Sequence, residues 1–283
     1  MPGQVFSPMI SRSLSSKDCK KAVVPKANEA DKEVSMFLRM VTHAAQVDKV
    51  VQMVETYDRR IIGSFRSTPG CVFASLLQNI NAPSECISLT IWQSQQFAMD
   101  YEKGGLFKEL VESLRPYFVE SNEWKLELTE ELSLDYTPIQ SEPTVSRFND
   151  SVAGSEEITK LKSKPFAIQI LSLTVQEEEN HKFEEIFMQD IHPKYKAHKG
   201  FIDLILLRQK REYYIFSFWD EAVDLQSPSG IHSIGHLLDS IYTVLPSFIQ
   251  WRTKHRSAAR ISASSEEFKA TVHRCLTAEW FIR

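Results

Sequence analysis

At 283 residues, 42% hydrophobic and 25% charged, the chain has a globular composition and enough length for two ordinary domains. A formal net charge of −4 with scattered Lys and Arg gives no basic field for nucleic acid. No run of about 18 apolar residues is present to cross a bilayer as a helix, so neither nucleic acid nor a membrane is an expected partner.

Cys19, Cys71, Cys86 and Cys275 lie far apart with no C-x-x-C pair, which fits buried thiols in a reducing compartment, and the expected location is the cytoplasm. Residues 1–32 carry Arg12, Lys17, Lys20, Lys21 and Lys26 among serines, but they also hold Asp18 and lack an apolar core. A disordered tail is the expectation there, with an organelle-targeting segment as the alternative.

Val34 to Val41 reads as a strand, apolar except for Arg39, and so is expected to be covered on both faces. A helix follows from about Val47 to Phe65, with Val47, Val50, Val51, Val54, Ile61 and Ile62 on one side. Cys71 to Ile80 and Ser84 to Trp92 read as two strands broken by Asn81-Ala82-Pro83. After Ser94 the period becomes helical, with Phe97, Tyr101, Leu106, Phe107, Leu110, Val111 and Leu114 on one stripe, and Pro116 is expected to end it. Glu123 to Leu132 alternates as a fourth strand.

From Ser133 onward the composition turns to Ser, Thr, Pro and Glu without an apolar period, and residues 134–163 read as a linker. The pattern then restarts. Phe166 to Val175 is a strand, Gln176 to about His198 a helix kinked or ended by Pro193, and Phe201 to Arg208 with Tyr213 to Trp219 a hairpin. An apolar helix from Ile231 to Leu245 follows, and Phe248 to Thr253 is expected to begin a fourth strand. Ser264 and Glu267 form a capping box ahead of an expected helix through Phe268, Val272 and Leu276.

Two registers show that this is a repeat. Gly70 and Gly200 differ by 200 − 70 = 130, and Pro116 and Pro246 by 246 − 116 = 130, while Trp92 and Trp219 differ by 219 − 92 = 127 because the second hairpin is tighter. The reading is therefore α+β, two ferredoxin-like β-α-β-β-α-β repeats. Strands in both halves alternate poorly, so each sheet needs a cover, and the other sheet supplies it. The expected layout is a tail over 1–32, a first domain over 33–133, a linker over 134–163, a second domain over 164–260 and a helical tail over 261–283, with the monomer forming an intramolecular pseudo-dimer.

Thr68-Pro69-Gly70-Cys71 with Ser75-Leu76-Leu77, then Ser88-Leu89-Thr90-Ile91-Trp92-Gln93-Ser94-Gln95-Gln96-Phe97-Ala98 and Tyr101, resembles the antibiotic biosynthesis monooxygenase (ABM) domain of the dimeric α+β barrel superfamily. The resemblance covers about Val34 to Leu132 and implies a fused pair of barrel halves in one chain. It also implies an oxygenase acting on a small aromatic or polycyclic molecule, with cofactor-independent members and a heme-degrading branch. The heme branch expects an Asn on the first strand and a Trp and a His on the second helix of the repeat. Here no Asn lies between Val34 and His43, Tyr101 stands at the Trp position, and the His position is apolar near Val111.

Tyr101, His43 and Arg39 are accordingly the candidate catalytic residues, with Phe107 and Val111 against the substrate. Arg39 suits an oxyanion or quinone-like group, or else an ion pair with a carboxylate at the strand edge. His43 suits a general base, or a plain strand-end histidine. Trp92, Tyr101, Phe107 and Tyr117 suit an aromatic pocket or core packing. No cofactor is the first expectation. Heme is the alternative, through His232 and His236, which are four apart and lack a visible third ligand. A non-catalytic ligand-binding or assembly protein on the same barrel is the reading from another class. No nucleophile elbow, P-loop or dinucleotide fingerprint occurs.

Overall fold

The computed structural model describes residues 37–128, 134–148, 150–154, 166–220, 225, 234–247, 249–250, 264–265 and 268–281. Strand β1 (Phe37–Ala44) leads through the turn Val47–Lys49 into helix α1 (Val50–Thr56), which continues as a π-helical segment over Tyr57–Ile62 and a last turn over Gly63–Phe65. Val50, Met53, Tyr57, Ile61 and Phe65 point inward at helical spacing and are buried.

Gly70 takes φ +74°, a left-handed conformation that suits glycine, and a Cβ there would lie 2.2 Å from the Phe97 ring. It opens β2 (Cys71–Asn79), which pairs with β3 (Glu85–Trp92), and β3 in turn pairs with β1. Ser94 accepts a hydrogen bond from the Phe97 N–H and so caps α2 (Gln95–Lys103). Gly104-Gly105 breaks the helix before α3 (Leu106–Leu114), with Gly105 at φ +82°.

The segment expected as the fourth strand of the sheet is strand β4 (Glu120–Leu128), but it pairs with β5 (Leu134–Gln140) in a separate two-stranded sheet. Alternation specifies a strand without specifying its neighbour. The place beside β1 belongs to β6 (Thr144–Phe148), followed after one residue by β7 (Asp150–Gly154). The expected linker over 134–163 is thus strand through most of its described residues. Its serines, threonines and prolines mislead because an edge strand takes its order from the neighbour it pairs with.

The second repeat follows with β8 (Phe166–Thr174), α4 (Asn180–Ile186), a π-helical segment over Phe187–Ile191 and α5 (His192–Lys196). Pro193 does not stop this helix. The π segments begin at Tyr57 and Phe187, 187 − 57 = 130, and Gly63 stands where Pro193 does, so the fold rather than the proline sets the irregularity. Strands β9 (Phe201–Gln209) and β10 (Glu212–Asp220) form the hairpin, and α6 (Ile234–Ile241) the second helix.

Two expectations fail after it. The start of the expected strand Phe248–Thr253 is helical where it is described, because the Gln250 N–H donates to the Pro246 carbonyl at 3.0 Å. Residues 251–253 lie outside the described residues. The expected C-terminal helix is instead strand β12 (Phe268–Trp280), with β11 (Ser264–Ser265) folded back on it. A spacing of four suits one face of a helix and one face of a strand alike, so Phe268, Val272 and Leu276 do not separate the two. The neighbouring Thr271 and Thr277 favour the strand.

One sheet runs β6-β1-β3-β2-β12-β8-β10-β9-β7. Its two ends, β6 and β7, are separated by a single residue in sequence, so the sheet closes on itself as a barrel. The closure is pseudo-twofold. The β12 strand pairs with β8 of its own repeat and with β2 of the first, while β6–β7 pairs with β1 of its own repeat and with β9 of the second. Both crossings carry an irregularity at matching places, between Ser151 and Ala153 and between Cys275 and Thr277. Residues 34–283 form one compact unit.

Three cores result. Helices of the first repeat cover one around Tyr57, Phe65 and Trp92, and those of the second cover one around Phe187, Tyr195 and Trp219. The barrel interior is filled by residues of both halves, among them Leu38, Phe73, Leu89, Phe148, Ile168, Phe216 and Phe218. Double coverage explains why the strands alternate so poorly.

Candidate functional site

Odd-numbered residues of β1 face the helices of the first repeat. Arg39, Val41 and His43 therefore lie in a row along the floor of a cleft. The π segment and the last turn of the first helix bring in Tyr57, Ile61 and Phe65; α2 and α3 bring Tyr101, Phe107, Leu110, Val111 and Leu114. The cleft measures about 400 Å³ when the solvent at its opening is counted, but its enclosed cavity is only about 30 Å³. That enclosed volume holds a few water molecules at most.

All five residues expected at the site, Arg39, His43, Tyr101, Phe107 and Val111, line this one cleft. Trp92 does not; it is fully buried beneath, with its indole N–H donating to Thr90 Oγ1 at 2.9 Å, and Thr90 in turn bonds to the Arg39 carbonyl. Tyr117 is also elsewhere, bonded to Thr56. His232 lies outside the described residues, and for His236 only its place on α6 is described. Among the described residues no group of three His, Cys, Asp or Glu side chains is placed to hold a metal.

Arg39 is only 2% exposed. Its Nε donates to Glu102 Oε1 at 2.6 Å, and its guanidinium carbon lies 4.1 Å from the Phe107 ring centre and 5.6 Å from that of Tyr101. Arg147 of β6, the cross-strand neighbour of Arg39, donates to the other Glu102 oxygen at 2.7 Å. Burial works against the Glu102 carboxylate, but hydrogen bonds from Arg147 and Arg39 and their positive charges outweigh it and hold its pKa below the ordinary value. Arg39 Nη2 is buried and has no partner.

His43, 6% exposed, packs its ring 4.8 Å from that of Phe118. Burial lowers its pKa to about 4, against the opposing effect of a hydrogen bond to the Val41 backbone. Its Nε2 is buried without a partner, so the other ring nitrogen holds the backbone bond and Nε2 presents a lone pair. Burial raises the pKa of the Tyr101 hydroxyl more than the Arg39 charge lowers it, which keeps it protonated. The cleft thus combines an apolar wall with one unpartnered guanidinium nitrogen, Arg39 Nη2, and one unpartnered nitrogen of a neutral imidazole, His43 Nε2.

Glu102, Arg147, Tyr57 and Ser88 were not legible as parts of the site. A lone arginine among apolar strand residues does call for a counter-charge. That signal gives the kind of partner but not its place on α2. Arg147 was hidden in a stretch whose composition reads as linker. In the second repeat the positions 130 residues on from Arg39, Val41, His43 and Tyr57 are Gln169, Leu171, Leu173 and Phe187, all buried, so of the four only Gln169 is polar and neither the cation nor the imidazole recurs.

Residues 36–113 match the family model described as antibiotic biosynthesis monooxygenase. No curated protein matches the sequence. Among solved structures, the "putative monooxygenase" of Lactobacillus acidophilus NCFM is 7% identical with a TM-score of 0.54, over 87% of this chain and 97% of that one. A protein of the same description from Fusobacterium nucleatum subsp. nucleatum ATCC 25586 is 9% identical with a TM-score of 0.51, over 88% and 95%. An anthrone oxidase-like protein is 8% identical with a TM-score of 0.50, over 88% and 94%. At such identities the likeness is one of fold. No described helix is long and apolar enough to cross a membrane. The cleft is lined by the matched segment together with Leu114, Phe118 and Pro143, and residues 36–113, which match the antibiotic biosynthesis monooxygenase domain, lie within an intramolecular dimeric α+β barrel.

Proposed function

We propose that the cleft of the first repeat binds a small aromatic molecule with an acidic hydroxyl or an enolisable carbonyl and promotes its oxygenation by dioxygen. The observation that supports this is the pair of unpartnered buried polar atoms, Arg39 Nη2 and His43 Nε2, in one apolar cleft. Buried polar groups are nearly always satisfied, and exceptions call for a functional account. His43 takes a proton from the substrate; Arg39 holds the resulting oxyanion; the electron-rich ring then reduces dioxygen. For an enolisable methylene compound the balance is R2CH2 + O2 → R2CO + H2O, one oxygen atom entering the product and the other leaving as water. Tyr101, Phe107 and Val111 hold the ring in place.

The small free volume favours a second reading, a binding protein whose cleft opens for a ligand without turnover. Oxygen uptake with anthrone, which enolises readily, separates the two. Uptake above the protein-free rate, lost in His43→Gln, supports the enzyme. Saturable binding without uptake supports the binding protein, and neither uptake nor binding sinks both.

A further inference from the structure

The cleft as it stands is too small for the ring it is proposed to take, and the cation in its floor, Arg39, is held by a carboxylate. Glu102 sits on α2, which with α3 forms the roof, and it bonds to Arg39 in the floor and to Arg147 of the neighbouring strand β6. Two guanidiniums thus share one carboxylate, leaving a local excess of positive charge. Arg39 lines the cleft and its Nη2 is buried without a partner, while Arg147 is 46% exposed and reachable from solvent.

Resting on the proposed function, we infer that the ligand is an aromatic acid whose carboxylate replaces Glu102 on Arg39 and Arg147. A planar carboxylate matches the guanidinium fork and can also satisfy Nη2, which Glu102 leaves unmet. The exchange conserves charge at Arg39, since one carboxylate leaves as another arrives, so the buried cation is never stripped of its partner. It also frees α2 from β1 and β6. The Gly104-Gly105 break gives the roof a place to flex, because a Cβ at Gly105 would meet nothing within 4 Å and its φ is +82°. A neutral ring of the same size gains no charge-assisted exchange with Glu102 and so binds more weakly, without being shut out.

Calorimetric titration of the full chain with salicylate and with salicylamide, its neutral isostere, tests this. Salicylate is expected to bind at least about tenfold more tightly than salicylamide, as charge-assisted bonds to two guanidiniums would give. Glu102→Gln, which removes the competing charge, is expected to tighten salicylate by about tenfold and leave salicylamide little changed. Arg147→Gln, a surface substitution with small risk to folding, is expected to weaken salicylate several-fold. Equal binding of the two probes, no binding of either, or loss of salicylate affinity in Glu102→Gln would overturn the inference. Because the readout is binding, oxygen uptake on anthrone stays an independent test of the proposed chemistry.

Discussion

Trp92 and Trp219 make the same hydrogen bond: each indole N–H donates to a hydroxyl two residues earlier, Thr90 Oγ1 at 2.9 Å and Ser217 Oγ at 2.8 Å. Each hydroxyl in turn donates to the first strand of its own repeat, at Arg39 and Gln169. The relay pins the third strand to the first in both halves. Thr90→Val keeps the shape but leaves a fully buried indole N–H without an acceptor, which costs about 1–3 kcal/mol. Urea unfolding should show the loss as a lower midpoint at unchanged slope.

Acid should destabilise the protein through its buried histidines. Burial lowers His43 and His273 to about 4, against the ordinary 6.5. The unfolded chain therefore binds more protons than the native state between these values, and stability falls as pH drops from about 6.5 towards about 4. Each histidine contributes up to roughly 3 kcal/mol to that loss. His43→Gln should flatten the acid limb of a stability–pH curve measured by urea unfolding. An unchanged limb would mean that His43 is not neutral in the native state.

Gly70→Ala should destabilise the first repeat. The left-handed backbone costs about 1–2 kcal/mol for a residue with a Cβ. The new Cβ would also displace the Phe97 ring from 2.2 Å. A lower thermal midpoint should therefore appear together with altered packing on α2, where Phe97 lies, visible in near-ultraviolet dichroism.

A chain stopped after Arg274 should fail to close its barrel. It loses the pairing of Cys275 to Trp280 with β2, the Trp280–Phe73 ring contact at 4.4 Å and the Arg66–Glu279 ion pair. Glu279→Ala alone, which removes a partly exposed pair, should cost less than about 1 kcal/mol. Comparing the two by thermal unfolding separates the strand from its salt bridge.

The repeat could be read from Gly70, Pro116 and Trp92 with their later counterparts because each answers a local demand: a left-handed turn, a helix stop, a buried indole. The face of β1 that carries Arg39 and His43 was readable for a similar reason, since polar residues in an apolar strand stand out. Strand partners were not readable in the same way. Nothing local distinguishes β4, which leaves for a side hairpin, from β6, which joins the barrel, because pairing is decided by edges distant in sequence. Phe268, Val272 and Leu276 were misread for a different cause, a spacing shared by two periods. Glu102 escaped because its role is fixed by what lies under α2.

The exchange of final strands between the halves also governs the order in which the chain can complete itself. Strand β2 finds its outer neighbour about 200 residues later, at His273 to Trp280. Until those residues leave the ribosome, β2 is an unpaired apolar edge, the kind that other chains pair with. A nascent chain therefore holds an exposed template while about 200 further residues are made, so this architecture is expected to lean on chaperones during translation more than on added stability afterwards.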